Sequence, residues 1–177
     1  YHSVRYEKAL CLRKLKRTEA DAAFRTLLAE GVNPALQAHA LLELADSAVL
    51  GKRFDDAAGD LTRLRELVAS GGTVLPPELK EQALYRSAAC AFERGKMRES
   101  AELFEEFLGA FAESSLAATA SLMCGEAQLK LERFDRAAEH LQRLVDRYPS
   151  DPGRPAALFR LGEALAALQR WAQSETA

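Results

Sequence analysis

Spacing constrains this chain more tightly than composition does. Gly125 and Gly162 lie 37 residues apart (162 − 125), and so do Phe134 and Trp171 (171 − 134). Ala88 and Met97 stand a further 37 residues back (125 − 88 and 134 − 97). In each copy a small residue precedes a large apolar one by nine positions (134 − 125). Apolar residues then recur at helical spacing, as Ala137, Leu141 and Leu144 do before Pro149. A helix pair of this length cannot bury its apolar face alone, so successive copies must stack. The pattern predicts an all-α protein, a right-handed α-solenoid of about five helix-turn-helix repeats with the last one truncated.

The repeats fall at about 1–34, 38–71, 81–114, 118–151 and 155–177, in a single domain. Val4, Ala9, Leu10, Leu12 and Leu15 make the predicted apolar stripe of the first helix. Ala20, Phe24, Leu27 and Leu28 make that of the second. In the next repeat the inward residues are Leu41, Leu44, Ala45 and Ala48, then Ala57, Leu61, Leu64 and Val68. A loop at 71–77, with Gly71, Gly72, Pro76 and Pro77, stretches the following spacing to 43 residues (97 − 54). The third repeat carries an aromatic second helix with Phe104, Phe107 and Phe111. The fifth is expected to turn near Trp171 and to run out a few residues into its second helix. A start at Tyr1 rather than Met leads to the expectation that the chain is a piece of a longer protein.

Several function classes are disfavoured by the same residues. The formal charge is 24 − 26 = −2, which supplies no field for nucleic acid or an anionic membrane. No apolar run approaches the roughly 18 residues needed to cross a bilayer. Cys11, Cys90 and Cys124 each sit in an apolar helical face without CxxC spacing, so all three are expected to be small buried hydrophobes. His2, His39 and His140 have no second ligand type at metal spacing, and His140 is expected on an outer face without a role. Gly71-Gly72-Thr73 does not fit a phosphate loop. Adjacent acids such as Glu105–Glu106 and Asp55–Asp56 read as solvated faces. No nucleophile–base set is visible, so neither an enzyme, a cofactor nor a metal is expected.

With the ruler fixed, the units resemble tetratricopeptide repeats. The small position of the first helix holds Ala45, Ala88, Gly125 and Gly162, and that of the second Ala20, Ala57, Ser100 and Ala137. A large apolar position holds Phe24, Leu61, Phe104 and Leu141. Small residues let helix axes approach, and large ones fill the space between them. Lys8 departs from the pattern at the small position of the first repeat. The period is three longer than the usual length of about 34. With Tyr148-Pro149-Ser150-Asp151-Pro152 and the segment 155–162, it looks like a bacterial subclass. That subclass includes the periplasmic Tol-Pal coordinator and the lipoprotein of the outer-membrane barrel assembly machine. A bacterial periplasm or cell envelope is therefore one expected setting, and the cytoplasm the other.

The resemblance implies that first helices line a concave face which binds a protein or peptide. Carried onto this sequence, that face consists of His39, Leu42, Asp46, Tyr85, Arg86, Phe92, Leu122, Glu126, Leu129, Phe159, Arg160 and Glu163. Its acids favour a basic or amphipathic peptide over an acidic one. The Lys and Asn clamp of the chaperone-binding subclass is missing, since the corresponding pairs are Leu42/Asp46, Tyr85/Ala89, Leu122/Glu126 and Phe159/Glu163. The expected function is a non-catalytic interaction scaffold in assembly of a bacterial complex. Two alternatives stay open. One is self-association through the aromatic second helices around Phe104, Phe107, Phe111 and Trp171; the other is a regulatory region of a larger multidomain protein.

Overall fold

The computed structural model describes the backbone of residues 1–175 and the side chains of residues 1–169. Trp171 therefore has its side chain outside the described residues, and its expected part in self-association lies there too. Among the described residues the elements are nine helices and no strand. They are α1 (His2–Lys14), α2 (Ala20–Ala29), α3 (Pro34–Leu50), α4 (Phe54–Ala69), α5 (Pro77–Glu93), α6 (Met97–Ala110), α7 (Ala117–Lys130), α8 (Phe134–Arg147) and α9 (Arg154–Glu175). The fold is an all-α helical-repeat solenoid. It divides into two compact units, Tyr1–Ala83 and Leu84–Ala177.

Four of the turns inside repeats share one geometry. Lys16, Lys52, Gly95 and Glu132 take left-handed φ values of 53°, 55°, 74° and 58°. At each, the next N–H reaches back five residues to a helix carbonyl: Arg17 to Leu12, Arg53 to Ala48, Lys96 to Ala91 and Arg133 to Gln128, at 2.8–3.0 Å. The left-handed residue itself donates to the carbonyl three back, at 2.9–3.0 Å. These paired bonds satisfy carbonyls that a helix end otherwise leaves bare. Glycine fits the left-handed position best, yet three of the four residues have side chains.

In the first unit Ala9, Phe24, Leu27, Val32, Ala40 and Leu44 form a buried cluster, with Tyr6 edge-on to Phe24 at 5.8 Å. The α3 start is set by Asn33, whose side chain accepts from the Leu36 N–H at 2.9 Å, and by Pro34 at the first helical position. Asp21 joins several segments: it pairs with Arg13 at 3.0 Å and Arg53 at 3.1 Å and accepts from Ser47 Oγ at 2.9 Å. The first helix is one residue out of the expected register. Ala9, wholly buried, fills the small position, while Lys8 is exposed. Both Val4 and Leu15 are 72% exposed, and Cys11 is exposed, against expectation. The cause lies in the turn. Four residues separate Lys16 from Ala20 (20 − 16), whereas five separate Lys52 from Ala57 (57 − 52).

In the second unit one cluster holds Leu84, Ala88, Ala91, Phe104, Phe107, Ala120 and Cys124, and another Ala118, Ala137, Leu141, Leu144, Ala157, Leu161 and Ala164. The period marks the closest approach correctly at Gly125. A Cβ there would stand 2.5 Å from Leu141 Cγ and 2.7 Å from its Cδ2. At Gly162, by contrast, a Cβ would meet nothing within 4 Å. The expected turn before Trp171 is not made, because α9 runs unbroken from Arg154 to Glu175. Residues 165–170 are helix formers without glycine or proline, and the described residues include no returning helix to draw the chain around.

Candidate interaction surface

The three first helices of the second unit's repeats, α5, α7 and α9, contribute to one hollow of about 350 Å³. Its lining is Phe92 from α5, Glu126, Leu129 and Lys130 from α7, Phe134 from α8, and Arg160 and Glu163 from α9. Five of these seven belong to the face expected from sequence. The apolar part comes from Phe92, Leu129 and Phe134, each half-buried. Leu129 also packs against the Leu141 cluster, which fixes that wall.

Charge around the hollow is arranged in two groups. Arg160 Nε donates to Glu126 Oε1 at 3.1 Å, and its Nη1 donates to Glu163 Oε2 at 2.9 Å. One guanidinium thus spans two carboxylates, and those hydrogen bonds raise its pKa further above the arginine range. Arg160 engages one oxygen of each of these two acids. At the other end Lys130 Nζ stands 4.6 Å from the centroid of the Phe92 ring. Phe159, 66% exposed, lies outside that lining, beside Arg160, whose guanidinium is 5.7 Å from its ring. Lys130 and Phe134 were not among the residues expected here. Phe134 reads in the sequence as a packing marker, and Lys130 lies one turn beyond Glu126, where only its reach across to Phe92 shows its place.

The remaining expected residues divide. Arg86 is half-buried and has interactions of its own. Leu122 is half-buried against the Leu141 cluster. Tyr85 is drawn into the core: its ring meets Phe104 at 5.9 Å and Phe107 at 5.5 Å, and burial raises its hydroxyl pKa. In the first unit Asp46 is half-buried with interactions of its own, and His39 is half-buried with its ring 6.0 Å from Tyr6. Leu42 is a correction: it is only 5% exposed, so it offers a partner nothing. Phe104 and Phe107 are likewise corrected as a self-association surface, because both are wholly buried. They fill the core that their helix must share with α5 and α7.

A second polar grouping lies on α6, α7 and α8. His140, expected on an outer face, is 7% exposed. Its Nε2 is 3.5 Å from Glu105 Oε1, and desolvation lowers its pKa. Beside it Cys124 is wholly buried, and burial pushes its thiol up to about 12. Glu105 Oε1 also accepts from Gln128 Nε2 at 2.8 Å and from Arg136 at 3.2 Å.

The tetratricopeptide-repeat family model matches residues 10–72, 85–152 and 122–177. The chain belongs to the tetratricopeptide-repeat family. Solved structures agree on the fold. A putative kinesin light chain of Podosopora anserina with nearly identical TPR-like repeats superposes with TM-score 0.69 at 17% identity, over 98% of this chain and 90% of that one. The apo form of RapI gives 0.68 at 16% identity, over 99% of this chain and 51% of that one. MamA gives 0.62 at 17% identity, over 93% and 96%. No curated protein matches it significantly in sequence. The tetratricopeptide repeat is an interaction scaffold rather than a catalytic fold. Among the described residues no helix is long and apolar enough to cross a membrane.

Proposed function

We propose that this repeat protein holds a peptide segment of a partner in the hollow between α5, α7 and α9, recruiting that partner reversibly into a complex. The observation that carries the reading is the lining itself. Three apolar side chains make the interior, while Lys130 and the Arg160 pair supply charge of both signs at the rim. An amphipathic segment fits this best, with one or two apolar side chains entering and polar groups facing the rim. A preformed surface of stacked helices needs little refolding to bind. Each apolar side chain buried from the partner contributes about 1.5–3 kcal/mol. Ordering the segment costs several kcal/mol, leaving an affinity near micromolar. The repeat spelling resembles a bacterial envelope group, which supports assembly of a bacterial complex as the setting.

The test uses peptides selected from a random display library on the full chain, with affinity read by fluorescence anisotropy. Phe159→Ala/Lys130→Ala should weaken binding at least tenfold with an unchanged circular dichroism spectrum. Phe159 and Lys130 are both exposed, so their truncation leaves the core intact. Selected peptides that bind this variant as tightly as the parent would overturn the assignment.

A further inference from the structure

We propose that Glu105, Cys124 and His140 form a binding site for a zinc-like divalent metal ion that fastens α6, α7 and α8 together. One ligand atom from each lies within 4.8 Å of the other two. A tetrahedral zinc site with bonds of about 2.0–2.3 Å separates its ligand atoms by roughly 3.3–3.8 Å. Side-chain rotation of about 1 Å therefore closes the set without moving a helix. Thiolate, imidazole and carboxylate are the donors that such an ion takes. Direct hydrogen bonding leaves the grouping incompletely satisfied. Cys124 Sγ donates only a weak bond to the Ala101 carbonyl, at 3.8 Å, His140 Nδ1 is buried without a partner, and the Glu105–His140 approach of 3.5 Å is long. Gln128 Oε1 is buried without a partner, on the amide whose nitrogen touches Glu105. Turned over, that amide gives a fourth donor, an oxygen, at the same centre.

Binding balances in charge and in protons. The Cys124 S–H bond breaks, its proton leaves to solvent, and a metal–sulfur bond forms. Thiolate and Glu105 carboxylate together neutralise the divalent ion. Arg136, which neutralises Glu105 otherwise, is released into water at little cost because its side chain is already 59% exposed. A hollow of about 340 Å³ lined by Glu105, Arg136, Glu139, His140 and Arg143 gives the ion a way in. Sequence spacing could not show the site, since its ligands come from three helices.

Cobalt(II), a zinc substitute whose thiolate complexes absorb in the near ultraviolet, is the probe. Titrated into the full chain, it should give a thiolate-to-metal band at one equivalent. Cys124→Ala should abolish that band, while Cys11→Ala and Cys90→Ala should keep it. Zinc at a hundredfold excess over its dissociation constant should raise the melting temperature by roughly 5–10 °C in the parent. No band in the parent, or a band that survives in Cys124→Ala, would overturn the proposal. If Cys124→Ala does not fold, His140→Gln and Glu105→Gln decide. Each should weaken cobalt binding at least tenfold, and unchanged affinity in both would sink the site.

Discussion

Gly125 offers the sharpest test of how these repeats pack. A methyl group there would sit 2.5 Å from Leu141 Cγ, where carbon atoms settle at about 3.5–4.0 Å. Leu141 is wholly buried and cannot step aside into water. Gly125→Ala therefore forces a repacking that costs about 1–3 kcal/mol, against about 1 kcal/mol gained from alanine's helix propensity. The net loss reaches about 2 kcal/mol. Gly162→Ala introduces the same methyl into open space and keeps only the gain, about 0.5–1 kcal/mol. Urea unfolding followed by circular dichroism should move the two midpoints in opposite directions. Leu141→Ala supplies the control. In that background the obstructing atoms are gone, so adding Gly125→Ala should turn from destabilising to stabilising. If Gly125→Ala costs the same with and without Leu141, close approach to that leucine is not why the glycine is there.

The recurring turn gives a second prediction: Lys52→Gly and Glu132→Gly should each stabilise the chain by about 1 kcal/mol, and Gly95→Ala should destabilise it by about 1–2 kcal/mol, read as urea midpoints. Asp60 is buried, and desolvation raises its pKa above the ordinary 3.8 despite Arg25 and Arg63 nearby. The folded state then binds the proton more tightly than the unfolded one, so this group's penalty is absent below pH 3.8 and complete above its folded pKa. Asp60→Asn should accordingly gain stability relative to the parent as pH rises through that window, with no further gain towards neutrality; a gain that grows only as pH falls would contradict it. Tyr85→Ala should cost about 3 kcal/mol because its ring is wedged against Phe104 and Phe107, whereas Phe159→Ala should stay within about 0.5 kcal/mol of the parent in the same assay.

Much of the architecture was legible because period and burial coincide: Ala45, Ala88 and Gly125 are all buried where the ruler puts them. The first repeat misled by a single residue. Its shortened turn rotates α1 so that Ala9 replaces Lys8, and Cys11 with Val4 turns outward; nothing in a 37-residue spacing records a deletion inside a turn. Trp171 held its place in the ruler without the turn that should precede it, since a left-handed residue such as Lys52 or Glu132 is chosen by the returning helix and not by its own chemistry. At the interaction surface, helix faces were readable but pairings were not. Phe92, Glu126, Leu129, Arg160 and Glu163 converge as expected, yet Arg160 engages one oxygen of each acid. On the same helical face Leu42 is claimed by the interior and Tyr85 is half-buried against Phe104 and Phe107, because exposure depends on neighbours that only packing brings near.

Asp21 bears on how such a stack comes apart. When each repeat touches only its neighbours, the terminal one is the natural place for fraying to begin. Here a single carboxylate on α2 engages Arg13 of α1, Ser47 of α3 and Arg53 at the threshold of α4. Losing α1 and α2 alone would take that carboxylate from Ser47 and Arg53, which couples opening of the first pair to α3. Amide hydrogen exchange should then show the protons of α1, α2 and α3 protected to a similar degree, as one cooperative block, and Asp21→Ala should divide that block by letting the first pair exchange sooner.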